Sequence, residues 1–153
     1  MKLGDVLRKE RTKRELTTAE VAERLGLTTS EWEEIEAGDS PAEEWGPRLA
    51  QLAIQLETPT SRLLAPSGRF ADTEPGQAGR LIRQHRETRE LDAKKVAEAA
   101  GMSAAEYEKL EAGESELEKY GPLFLGFAET IEQPVFNLFY PCGLDYRELD
   151  DYP

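Results

Sequence analysis

The feature that most constrains this chain is an internal repeat. Shifted by 75 residues, the sequence lies over itself without a gap, residues 7–64 covering residues 82–139 with about 22 identities in 58 positions. Arg11/Arg86, Leu16/Leu91, Val21-Ala22/Val96-Ala97, Gly26/Gly101, Glu36-Ala37-Gly38/Glu111-Ala112-Gly113, Pro59/Pro134 and Leu63/Leu138 are shared. Other positions keep their character, with Trp32 over Tyr107, Ile35 over Leu110 and Leu27 over Met102. A period of this kind predicts two like units, and 153 residues leave each a modest core. The units are expected at residues 1–65 and 78–141. A linker rich in Pro, Gly and small polar residues joins them at 66–77, and an acidic tail follows at 142–153.

Each copy carries helical punctuation. Leu3 to Glu15 reads as a basic helix with Leu3, Val6 and Leu7 on one side. Thr17 with Glu20 forms a capping box that opens a second helix, whose stripe is Val21, Ala22 and Leu25. Gly26 stops it, Thr28 with Glu31 caps a third helix carrying Trp32 and Ile35 inward, and Gly38 ends that one. A fourth helix is predicted from about Trp45 to Glu57 and a short fifth over Thr60 to Leu64. The second copy repeats the series, with Asp92 as one cap and Ser103 with Glu106 as another. Five helices per copy and no strand signal predict an all-α chain.

LTTAEVAERLGLTTSEWEEIEAGDS and LDAKKVAEAAGMSAAEYEKLEAGES each resemble the helix-turn-helix core of the lambda-repressor and Cro-like family, also called XRE. The resemblance implies two tandem five-helix domains of the DNA-binding type, with Trp32 and Tyr107 buried. It also implies partly buried ion pairs of Arg11 with Glu36 and of Arg86 with Glu111. The family lays its third helix in the major groove and holds phosphates with the start of the second helix and the loop after the third. The positions carried over as base-facing are Thr29, Ser30 and Glu34 in the first copy, and Ala104, Ala105 and Lys109 in the second.

Charge opposes the implied DNA binding. The chain has 31 acidic and 19 basic residues, a net charge of -12. Without the capping and ion-paired glutamates, the first reading face still holds Glu33, Glu34, Asp39, Glu43 and Glu44 with no cation. The second sets Glu108, Glu114, Glu116 and Glu118 against Lys109 and Lys119. A module that gains affinity by releasing counterions would meet repulsion on the first copy. The basic residues gather instead on the first helices: Arg8, Lys9, Lys13 and Arg14, then Arg80, Arg83 and Arg89.

Two functions stay open. One is a non-enzymatic regulatory protein whose acidic face contacts another protein, such as a basic or DNA-binding one. The other is a transcriptional regulator that binds double-stranded DNA with its two copies as an intramolecular pseudo-dimer. The linker, roughly 43 Å extended or 20 Å as a coil, permits half-sites about 34 Å apart. Other classes fare worse. One His (His85) and one Cys (Cys142) cannot furnish a zinc site or an internal disulfide, so neither metal nor cofactor is expected. No carboxylate pair forms a catalytic constellation. No apolar run reaches the roughly 18 residues of a membrane span, and the first residues lack the apolar core of a secretory signal, so a cytoplasmic location is expected.

The second copy has an apolar excess near its end. Leu123, Leu125 and Phe136 stand where the first copy has Arg48, Ala50 and Ser61, and Phe139 and Tyr140 follow. Related repressors dimerise through this end, so the surface is a candidate interface for a homodimer. Cover by the first copy or by the tail is the alternative.

Overall fold

The computed structural model describes residues 1–142 and is all-α, with no strand among them. The first copy contains α1 (Leu3–Lys13), α2 (Thr18–Leu25), α3 (Thr29–Ala37), α4 (Ala42–Leu56) and α5 (Thr60–Leu64). The second contains α6 (Gln77–Thr88), α7 (Ala93–Ala99), α8 (Ala104–Glu111) and α9 (Leu117–Thr130). The starts of α2, α3 and α4 recur 75 residues later as those of α7, α8 and α9. The fifth helix of the second copy is a 3-10 segment, Val135–Leu138, and α4 begins at Ala42, a turn before the expected Trp45.

The capping boxes at Thr17, Thr28 and Ser103 are complete, each hydroxyl accepting from the backbone N–H of a glutamate whose carboxylate returns to the cap. Asp92 accepts from the Lys94 N–H. Four glutamates, Glu15, Glu57, Glu90 and Glu132, adopt positive φ at helix ends and form two pairs at the repeat spacing. This left-handed geometry turns the next N–H back over the helix, Leu16 onto the Arg11 carbonyl and Leu91 onto that of Arg86, which offsets the strain with a hydrogen bond.

Two glycines set the entry of the first helix in each copy. A Cβ on Gly4 would lie 2.4 Å from the Glu36 carbonyl oxygen, and one on Gly79 would lie 2.1 Å from that of Leu110. The start of α1 therefore abuts the end of α3, and the start of α6 the end of α8.

The two copies share one continuous hydrophobic core. Trp32 of α3 stacks on Phe127 of α9, with ring centroids 5.1 Å apart. Leu25 of α2 packs at Gly126 of α9, where a Cβ would fall 2.6 Å from it, and Phe139 packs at Gly46 of α4. Several contacts across the boundary come in exchanged pairs, α2 with α9 as α4 with α7, and α5 with α6 as α1 with Val135–Leu138, whereas α4 with α6 and α5 with α9 have no exchanged counterpart of like extent. The equivalent helices α4 and α9 also meet each other, as do α5 and Val135–Leu138. Such exchange is the mark of an isologous interface, a two-fold dimer contact made inside one chain.

This packing decides what covers the apolar excess. Leu123, Leu125, Phe136 and Phe139 are buried, with Phe136 and Phe139 at 0% exposure, against elements of the first copy and of their own. They are the internal interface, so the expectation of a homodimer surface at these four is corrected. Tyr140 alone of that group is exposed, at 45%.

The joining segment is also held. Phe70–Asp72 forms a 3-10 turn against α9, the Phe70 N–H donates to the Glu129 carboxylate, and the buried Gln77 amide donates to the Leu64 and Asp72 carbonyls. The expected tail lies beyond the described residues except for Cys142, which is half-buried.

Candidate functional site

Each candidate reading face consists of the outer side of α3 or α8 with the turn that follows. The ion pair beneath each helix fixes its position. Arg11 Nε donates to Glu36 Oε2 at 2.6 Å and Nη2 to Oε1 at 2.9 Å, while Nη1 donates to the Leu16 carbonyl at 2.8 Å. Arg86 repeats this on Glu111 and the Leu91 carbonyl at 2.6, 2.9 and 3.1 Å. The carboxylates raise both guanidinium groups above the usual arginine range. Burial opposes ionisation of Glu111, but Arg86 outweighs it and holds that carboxyl below the usual range.

The residue packed beneath each reading helix differs. Trp32 is 1% exposed and its indole N–H donates to the Glu36 carboxylate. Tyr107 is 3% exposed, and its hydroxyl lies beside Glu111 outside hydrogen-bond geometry, with no partner among the described residues. Burial, and then the Glu111 carboxylate that faces the hydroxyl, raise the phenol above its usual range.

Above this floor, Thr29, Ser30, Glu33, Glu34 and Asp39 are exposed on the first face, as are Ala104, Ala105, Glu108, Lys109, Glu114 and Lys119 on the second. Glu33, Glu34 and Asp39 form no ion pair with any described cation; Glu33 accepts only a 3.4 Å bond from Thr18. Lys109 is exposed, and Lys94 and Lys95 lie at the start of α7, where the first copy has Ala19 and Glu20. The two copies therefore differ in charge at the start of the second helix, while the turn after the third begins with an acid in both, Asp39 and Glu114.

Several acids counted on the faces have structural duties. Glu43 turns inward and caps α1, accepting from the Leu3 N–H at 3.1 Å and the Gly4 N–H at 2.6 Å. Glu118 does the same for α6 through Ala78 and Gly79. Their place in the apparent acid excess is corrected: each carboxylate is held by the N-terminus of a neighbouring helix. Sequence spacing held a signal for this, because Gly4/Gly79 and Glu43/Glu118 all keep the 75-residue offset. Glu44 pairs with Arg48 at 2.8 Å.

Capping glutamates also tie the copies together. Glu106 lies 3.2 Å from Arg48 of α4, and Glu31 lies 3.9 Å from Lys119 of α9. Each reading helix thus places its N-terminal carboxylate against a cation on the fourth helix of the other copy. Arg48 also lies over the Trp45 ring, 5.0 Å from its centroid. The repeat comparison did not single out this role for Arg48, since its counterpart is Leu123 and a shared-anchor reading passes over it. Bonds to cap backbone and hydroxyl groups hold Glu20, Glu31 and Glu106 below the usual carboxylate range.

A helix-turn-helix domain model matches residues 2–61 and again residues 77–119, each match containing a complete second helix, turn and third helix. The chain belongs to the helix-turn-helix family. It is of the XRE-like regulator type, present in two tandem copies. No curated protein and no solved structure matches the chain.

The His85 ring lies 3.3 Å from an Arg89 guanidinium nitrogen, and burial followed by the Arg89 charge pulls its pKa below the usual value. Burial pushes the Cys142 thiol up. No group of three His, Cys, Asp or Glu that could hold a metal ion occurs among the described residues, and no described helix is long and apolar enough to cross a membrane.

Proposed function

We propose that this helix-turn-helix chain is a non-enzymatic regulatory protein whose first reading face docks a basic protein, such as a DNA-binding one. The observation that supports this reading is the set of exposed carboxylates Glu33, Glu34 and Asp39, none in an ion pair with a described cation. Glu36, Glu43, Glu44, Glu111 and Glu118 cap helices or neutralise arginines, so their charge is used within the chain. These three direct theirs outward from the side of α3 that family members turn to DNA. Against a duplex they repel; against a basic partner they steer association and set its register.

A second reading, DNA binding as an intramolecular pseudo-dimer, draws support from the exchanged contacts between the copies and from Lys94, Lys95 and Lys109 on the second face. One experiment separates the two. The full chain and its Glu33→Lys/Glu34→Lys/Asp39→Lys variant are titrated with random duplex DNA at low salt and at about 0.15 M, and both are used to capture proteins from host extract for identification. The first reading expects no duplex binding by the natural chain near 0.15 M, together with salt-sensitive capture of a basic protein that the variant loses. Tight duplex binding by the natural chain overturns it in favour of the second.

A further inference from the structure

We propose that the second copy holds a small organic anion, a carboxylate or phosphate ester with a short apolar body, in a cleft beside its reading helix where its side chains are smaller than those of the first copy. The cavity, about 490 Å³, lies among α6, α7 and α8. Its size falls within the range of small-ligand sites. Ala93, Ala104, Ala112 and the Tyr107 ring supply apolar wall, and Arg83 and Lys94 lie at its basic side.

Comparison of the copies accounts for the opening. Where the second has Ala93, Ala104 and Tyr107, the first has Thr18, Thr29 and the larger Trp32. The Thr18 hydroxyl reaches Glu33 at 3.4 Å, tying α2 to α3, and Arg8 folds down to donate to the Glu36 carbonyl at 3.0 Å. In the second copy Ala93 has no hydroxyl to offer Glu108. Arg83 turns outward to Glu87 at 3.5 Å, a pair more than half exposed on both sides and therefore weak.

Charge selects the ligand. Arg86 and Glu111 neutralise each other, and Arg83 meets Glu87 only through an exposed pair, so the lining sets Arg83 and Lys94 against Glu108. Lys94 has no ion pair among the described residues. An anionic head between Arg83 and Lys94, with an apolar body against the alanines, uses each of these groups. Ala104 and Glu108 belong to both cavity and reading face, so such a ligand competes with any macromolecule docked there.

The test is a backbone amide NMR titration of the full chain with benzoate, phenyl phosphate, inorganic phosphate and neutral benzyl alcohol. The expected result is saturable shifts at Lys94, Ala104 and Tyr107 with the two aromatic anions, and none at Ala19, Thr29 and Trp32. Lys94→Glu is expected to weaken binding by about tenfold or more. Ala104→Leu, which places a side chain in the cavity from an exposed position, is expected to abolish it while the remaining spectrum reports an intact fold. Absence of saturable shifts at millimolar anion overturns the proposal. So does binding that both variants leave unchanged, or equal binding of benzyl alcohol or inorganic phosphate.

Discussion

Arg11 and Glu36 meet through two hydrogen bonds of 2.6 and 2.9 Å, and Arg86 and Glu111 reproduce both distances 75 residues later. Each pair joins the first helix of a copy to the end of its reading helix. Glu36 is 5% exposed, so replacing its partner by Arg11→Met leaves a buried charge that only the half-exposed Arg8, 3.9 Å away, can offset. The expected loss is about 3 kcal/mol, read from urea unfolding followed by tryptophan fluorescence.

Acid should weaken the fold through the same groups. Glu111, Glu20, Glu31 and Glu106 all have folded-state pKa values below the usual carboxylate range. Each binds fewer protons folded than unfolded, so its contribution is complete above the unfolded pKa and is lost as pH falls through the folded one. The thermal midpoint is expected to fall on acidification below about pH 4.5, and Glu111→Gln is expected to flatten that dependence while lowering the neutral-pH midpoint.

Gly79→Ala should cost about 3 kcal/mol or more, since its Cβ would fall 2.1 Å from a backbone oxygen at a helix crossing. Gly101→Ala meets open space and carries only the left-handed backbone penalty, about 1 kcal/mol. Denaturant midpoints of the two variants test this order.

The shared core predicts one unfolding transition for both copies. Trp32 stacks on Phe127, so Phe127→Ala in the second copy removes packing from the first. It is expected to cost about 4 kcal/mol, with tryptophan fluorescence and far-UV circular dichroism still moving together in urea. Separate transitions by the two probes would show that the copies unfold independently.

The acids of the first face should divide into two kinds. Glu43→Lys removes the α1 cap and places a cation at a helix N-terminus, with an expected cost of at least about 1 kcal/mol. Glu34→Lys with Asp39→Lys, at exposed positions without ion pairs, should leave the thermal midpoint nearly unchanged. The pair should also raise affinity for duplex DNA at low salt, as a mobility-shift titration would record.

Much of this protein is determined by the sequence alone, because the signals are local or recur at a fixed offset. Thr17 with Glu20 and Thr28 with Glu31 start helices through bonds spanning three residues, and Gly26 and Gly38 end them by a backbone geometry that glycine adopts without strain. The pairing of Arg11 with Glu36 and the outward placement of Glu34 and Lys109 both followed from family resemblance. What sequence left open were relations between distant segments. Glu43 and Glu34 are both acidic residues near the end of a reading helix, yet only the crossing of α1 at Gly4 brings two N–H groups to Glu43. Leu123 and Phe139 are apolar under any reading. Whether a second chain, the tail or the first copy covers them depended on how the two units pack, and the exchanged contacts of α4 and α9 decided it. The cavity at Tyr107 likewise arises from three helices meeting around side chains smaller than those of the first copy. Hydrophobic burial is nondirectional, so composition sets how much surface must be covered while three-dimensional packing selects the partner.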